Sequence, residues 1–105
     1  MASTEELQGE HLDAVLDELQ QRLERLRILY EQYFLGIEKL PPSQIQRDVV
    51  RMIYRIQKAK IHGASGKFRF QALQQRFNSH KSYWARTMRE IEEGRYHRQT
   101  FRAEQ

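Results

Sequence analysis

Basic and aromatic side chains interleave between Lys67 and Arg89: Lys67, Phe68, Arg69, Phe70, Arg76, Phe77, Lys81, Tyr83, Trp84, Arg86 and Arg89. Lysine and arginine neutralise phosphates while aromatic rings stack on unpaired bases, so such a segment has the chemistry to hold single-stranded nucleic acid. A competing demand acts on the same residues. Phe70, Phe77 and Trp84 recur every seven positions, which sets them on one side of a helix and into a core, leaving Phe68 and Tyr83 as the aromatics expected at the surface. What remains for nucleic acid is an outward row of Arg69, Arg76, Tyr83 and Arg86. The wider basic face is Arg69, Arg76, Lys81, Arg86 and Arg89, joined by Arg95 and Arg98 of the C-terminal tail.

Other constellations carry less. Gly63-Ala64-Ser65-Gly66, followed by Lys67, has the outline of a GXXG nucleotide clamp. That clamp belongs to a fold with a three-stranded sheet, and no period-two segment supplies strands here. The segment reads as a tight turn, with Gly63 stopping one helix and Ser65 capping the next. It is not a phosphate loop either: the glycine spacing is too short and neither Ser nor Thr follows Lys67. The histidines, His11, His62, His80 and His97, include no i,i+4 pair and no HExxH, so a metal site would need convergence from separate helices. His80 falls on the inner stripe between Phe77 and Trp84, where an imidazole would want Tyr30, Tyr33 or Glu31 as a partner and would specify helix register. No nucleophile has an adjacent base, and no carboxylate pair lies in an apolar setting. Catalysis and a cofactor are therefore not expected.

These residues must be positioned by helices. Leu12, Leu16, Leu19, Leu23, Leu26, Tyr30, Tyr33, Ile37 and Leu40 follow one another in steps of 4 and 3, the seam of a long coiled-coil-like helix lying against another. Ser3 with Glu6 makes a capping box for its start. Gly36 offers a left-handed stop with Ile37 folding back. Alternatively the ladder runs on to Leu40, and Pro41-Pro42 ends it. A second capping box, Ser43 with Gln46, opens a helix whose stripe is Ile45, Val49, Met52, Ile53 and Ile56. The third helix buries Phe70, Leu73, Phe77, Trp84, Met88 and Ile91 and ends at Gly94. The expectation is an all-α fold, a three-helix antiparallel bundle or hairpin in one domain over 1–94. Its helices are placed at about 4–37, 44–62 and 66–93, with a basic tail over 95–105.

At 1.5 Å per residue these helices span roughly 50, 28 and 42 Å, so the middle one cannot cover the outer two. The ladder near Leu12, Leu16 and Leu19 is then expected to meet the distal third helix alone or a second copy of the protein.

Charge is uneven. Residues 1–40 carry net −5 and residues 41–105 net +9, within +4 for the whole. Asp13, Asp17, Glu18 and Glu24 could face Lys81, Arg86 and Arg89 if the first and last helices run antiparallel, each exposed pair contributing about 0.2–1 kcal/mol. Cysteine is absent, which excludes disulfides, thiolate metal sites and thiol catalysis. The acidic, polar start lacks the basic and apolar regions of a secretory signal, and no stretch approaches the ~20 apolar residues of a membrane span. A cytoplasmic protein is expected.

Tyr30-Glu31-Gln32-Tyr33-Phe34-Leu35-Gly36-Ile37 is followed by a proline-bearing turn. Later come Phe68-Arg69-Phe70-Gln71-Ala72-Leu73, Arg76-Phe77-Asn78, Tyr83-Trp84 and Arg89-Glu90-Ile91-Glu92-Glu93-Gly94. Together these motifs resemble an uncharacterised helical domain family of myxobacteria and related bacteria, over residues 22–101 of this chain. The family often supplies the C-terminal domain of longer proteins. The resemblance implies a helical hairpin module and carries over no catalytic residue. The present chain is short, so any task of a companion domain is not expected of it.

The tyrosine-rich motifs suit a packing knot or a partner surface, because their rings can bury while their polar tips find partners. Tyr30 and Tyr33 lie on the ladder; Phe34 and Tyr83 lie off it and are the better interface candidates. The expected function is a non-catalytic protein-interaction or scaffold module, self-associating or binding an unidentified protein through Phe34, Tyr83, Leu12, Leu16 and Leu19. The alternative is a nucleic-acid-binding protein using the basic face and tail. Binding to an anionic membrane surface would need an exposed apolar face beside the bases.

Overall fold

The computed structural model describes residues 4–98. A short strand β1 (Glu6–Leu7) leads into α1 (Gly9–Phe34). A turn returns the chain through α2 (Ser43–Lys58) to β2 (Lys60–Ile61), from which α3 (Ala64–Glu92) departs. The fold is all-α but for the two strands, and the molecule is elongated, 55 × 28 × 26 Å. Each helix forms where apolar residues recur at 3.6-residue spacing, and those residues are the ones buried. In α2 they are Val49, Met52, Ile53 and Ile56; in α3 they include Phe70, Leu73, Phe77 and Trp84. Met88 and Ile91 pack against this core while partly exposed. Fully burying a leucine or phenylalanine contributes about 1.5–3 kcal/mol, so these faces outweigh any cap.

Both helix N-termini at one end are built alike. β1 and β2 pair in parallel, with the Lys60 N–H donating to Glu5 O at 2.7 Å and the His62 N–H to Leu7 O at 2.9 Å. Leu7 and Ile61 turn inward and are buried. Each strand then turns into its helix at a glycine two residues on, Gly9 after Gln8 and Gly63 after His62, with φ of 56° and 94°. A side chain there would be strained, which is why glycine stands at both turns.

Because adjacent helices run antiparallel, α1 and α3 are parallel, and they are in register. Glu6 pairs with Lys60, an offset of 54 residues. Tyr30 and Trp84 share that offset and stack with ring centroids 4.2 Å apart. Leu12 and Gly66 share it too. The Leu12 side chain lies so close to the α3 backbone there that a Cβ on Gly66 would run into Leu12 Cδ2 and lie 3.3 Å from Ile61 Cγ2. The buried residues of α1 and α3 interdigitate at this one register.

The structure corrects several expectations. Ser3 lies outside the described residues, and Glu6 is in a strand rather than the first helical turn, so α1 starts at Gly9. α2 ends at Lys58 because Ala59 turns extended (ψ 156°) to feed β2. No side chain caps any of the three helices: Ser43 and Ser65 lie inside helices, after Pro42 and Gly63. Of the two stops proposed for the first helix, Gly36 is the one used. It takes φ 83°, its N–H donates to Tyr33 O, and the Ile37 N–H donates to Gln32 O at 2.9 Å, the paired bonds of a Schellman stop. Ile37 and Leu40 do not fold back; they are 51% and 78% exposed.

From Leu12 to Tyr33 the ladder is also covered within one chain. Leu12, Leu16 and Leu19 are buried in the same core as Leu7, Ile61 and Phe70, and Phe34 is buried too, so none of these four offers a surface to a partner. The expectation of an uncovered flank fails because α1 is shorter than supposed and the strands close its N-terminal end. Finally, the parallel register keeps Asp13 and Glu18 away from Lys81, Arg86 and Arg89. Asp17 meets Arg69 instead.

Candidate interaction surface

A three-helix bundle has three seams, and in this chain polar pairs cross two of them. Along the α1–α2 side, the Tyr30 hydroxyl donates to Gln46 Oε1, and Arg55 holds Glu5 at 2.7 Å. Arg22 with Glu18 on α1, and Arg51 with Asp48 on α2, pair within their own helices and line a depression of about 250 Å³ on the same side. The guanidinium beside each acid holds the carboxyls of Glu5 and Asp48 below the usual carboxylate range. Along the α1–α3 side, Arg69 donates to Asp17 at 2.6 Å and to Gln20 at 2.9 Å. Further along, Glu24 is kept ionised chiefly by Arg27, with Arg76 and His80 adding to its field.

The α1–α3 seam ends in an aromatic knot. His80 stacks on Trp84, 5.4 Å between centroids, and Trp84 stacks on Tyr30. Phe34 packs against Tyr30, Tyr33, Tyr83 and Tyr96. The tyrosine-rich motifs therefore form packing, with Tyr83 reaching the surface at 48% exposure. The imidazole partner is Trp84 rather than Tyr30, Tyr33 or Glu31.

The third seam is different. α2 and α3 each pack on α1, and their backbones approach one another less closely than either approaches α1. Two adjoining depressions, of about 270 and 250 Å³, run between them. Their floor is the outer edge of the core: Ile53, Ile56, Phe70 and Phe77. On the α2 side stand Val50 and Tyr54, 46% and 57% exposed, with Gln57 beside them. On the α3 side stand Lys67, Gln71, Gln74, Asn78 and Lys81. Lys81 Nζ hovers 5.4 Å from the Phe77 ring centre, a cation–π contact that keeps this cation at the rim, and Lys58 Nζ lies 4.5 Å from the ring centre of Tyr54. Among the described residues no hydrogen bond or ion pair joins α2 to α3.

Sequence reasoning missed this groove, though a signal was present. Lys67, Gln71, Gln74, Asn78 and Lys81 are separated by steps of 4, 3, 4 and 3, a second seam on α3 written in polar residues. A search for apolar periodicity passes over it.

The predicted basic face is dispersed. Arg69 is engaged by α1, Arg95 pairs with Glu93, and Lys81 belongs to the groove. Arg98 reaches back across the bundle end, donating to Tyr33 O at 2.6 Å and to Glu38 O, with its guanidinium 3.9 Å from the Tyr33 ring centre. It thereby satisfies carbonyls at the end of α1 and places a cation where the helix dipole favours one. Arg76, Arg86 and Arg89 remain exposed, but Arg76 flanks α1 beside Glu24. The seven cations do not make one free stripe. Tail residues 99–105 lie outside the described residues.

Among the described residues no three His, Asp or Glu gather as a metal site, and no helix is long and apolar enough to cross a membrane. No protein-family model, curated protein or solved structure matches the chain.

Proposed function

We propose that this chain is a non-catalytic protein-interaction module that receives a helix of another protein in the seam between α2 and α3. One observation carries the reading: hydrogen bonds and ion pairs cross the first two seams, whereas among the described residues none crosses the third, which has an apolar floor. An amphipathic helix laid in such a groove buries its apolar stripe and completes a four-helix arrangement. Amide-lined walls suit a complex that forms and dissociates, since interfaces that must also be stable in water are more polar than a permanent core. The resemblance to the myxobacterial helical family, which brings no catalytic residue, agrees with this reading, and a chain without cysteine suits a cytoplasmic setting.

The nucleic-acid reading is the weaker, because Arg69, Arg95 and Arg98 are engaged within the chain. Self-association through Leu12, Leu16, Leu19 and Phe34 lacks an exposed surface.

The test is selection from a displayed library of helical peptides with randomised surface charge, comparing the wild type with Gln74→Trp, which sets a bulky uncharged side chain at mid-groove. Binders recovered on the wild type and lost on Gln74→Trp are the expected result. A library yielding none, or binders indifferent to the plug, would overturn the reading. Titration of labelled DNA and RNA at physiological salt is expected to show no binding; tight binding lost on reversing Arg86 and Arg89 would replace it with the nucleic-acid reading.

A further inference from the structure

Resting on the groove reading above, we propose that the helix received between α2 and α3 is acidic along both flanks of its apolar stripe, and that Lys67 and Lys81 select it. The residues lining the two depressions include lysine at each end of the α3 wall and neither aspartate nor glutamate. This contrasts with the rest of the bundle. Arg55, Arg22 and Arg51 on one side and Arg69 on the other each hold a carboxylate of this chain, while Lys67 and Lys81 hold none among the described residues. A basic, amide-walled groove with an apolar floor repels a basic helix, tolerates a neutral one and attracts an acidic one.

The spacing is informative as well. Lys67 and Lys81 are two heptads apart on α3, about 21 Å along its axis. A helix lying along the seam keeps the same face toward α3 every seven residues, so it would answer the two lysines with carboxylates two heptads apart. Gln71, Gln74 and Asn78 fall between them and can donate to or accept from whatever polar groups the partner carries there.

A second copy of this chain is the poorer occupant. Its acidic helix α1 is already buried on its apolar face, so only the outer face could enter a neighbour's groove. Such a contact would be head-to-tail between different surfaces, building rings or open chains rather than a two-fold dimer.

The probes are three 18-residue helical peptides sharing one leucine stripe at i, i+3, i+4 and i+7 and flanked by glutamate, glutamine or lysine. Each is labelled and titrated by fluorescence anisotropy against the wild type and against the double variant Lys67→Glu/Lys81→Glu. Far-UV circular dichroism checks that the variant, altered only at exposed positions, retains its fold. The wild type is expected to prefer glutamate over glutamine and to reject lysine. The double variant should bind the glutamate peptide about tenfold more weakly, the order expected when two exposed ion pairs become like-charge contacts, and should prefer the lysine peptide.

Equal binding of all three peptides would overturn the acidic assignment while leaving the groove reading intact. Absence of binding by all three, with library binders still lost on Gln74→Trp, would do the same. Concentration-dependent self-association in sedimentation velocity, abolished by Gln74→Trp, would replace the foreign helix with a second copy.

Discussion

The in-register contact between α1 and α3 can be tested at Gly66, in the first turn of α3. Replacing glycine by alanine inside a helix ordinarily stabilises by about 0.5–1 kcal/mol, because it lowers the conformational entropy of the unfolded chain. At this position the new methyl would collide with Leu12 Cδ2 and lie 3.3 Å from Ile61 Cγ2, both on buried side chains with little room to yield. Overpacking of that kind costs about 1–3 kcal/mol, so Gly66→Ala should destabilise by about 1 kcal/mol. Leu12→Ala, by itself, should cost about 2–5 kcal/mol through lost burial and a cavity. With the colliding group gone, however, Gly66→Ala should change sign and stabilise by about 0.5–1 kcal/mol. The coupling between the two sites is then about 1–3 kcal/mol, well above the additivity of distant positions. Urea unfolding of the four proteins, followed by far-UV circular dichroism and by Trp84 emission, measures it. Stabilisation by Gly66→Ala in the wild-type background, or equal effects in both backgrounds, would show that the two helices do not meet at this register.

Three further outcomes are expected. Arg98→Ala removes two charge-assisted hydrogen bonds and a ring contact at the end of α1, and should cost about 1–3 kcal/mol in urea unfolding with faster amide exchange near Tyr33 and Glu38; no change would place the tail elsewhere. Glu5, held below its ordinary value by the Arg55 hydrogen bond, stabilises the fold above the unfolded carboxylate range and loses that contribution as pH falls through its folded value, so Glu5→Gln should flatten the acid limb of a stability-against-pH curve. Tyr30 titrates above the ordinary tyrosine range, chiefly because burial disfavours its phenolate; its contribution is present below that range and is lost as pH rises through the folded value. Tyr30→Phe should therefore blunt alkaline destabilisation, at a cost of about 0.5–1.5 kcal/mol near neutrality for the lost bond to Gln46.

What could be read from the residues is what neighbours in sequence decide. Leu12 to Tyr33, Val49 to Ile56 and Phe70 to Trp84 are buried where their periodicity places them, because the face of a helix follows from local spacing. Gly36 and Gly94 stop helices because a left-handed residue is needed there whatever surrounds it. The exposure of Phe68 and Tyr83 follows from the same arithmetic.

Other features required distant segments to meet. β1 and β2 are two residues each, too short for any alternation, and exist because Glu5 and Lys60 arrive side by side. The parallel register of α1 and α3 depends on how far α2 carries the chain back, and it diverts Arg69 to Asp17 and buries the leucines that spacing alone offered to a partner. The groove was equally hidden. Lys67, Gln71, Gln74, Asn78 and Lys81 are ordinary polar residues in sequence, and come to line one groove only when α2 and α3 both lean on α1. Local spacing determined which face of each helix turns inward; only the packed bundle decided which seam polar pairs would leave uncrossed, because that depends on the angles and charges of three helices at once.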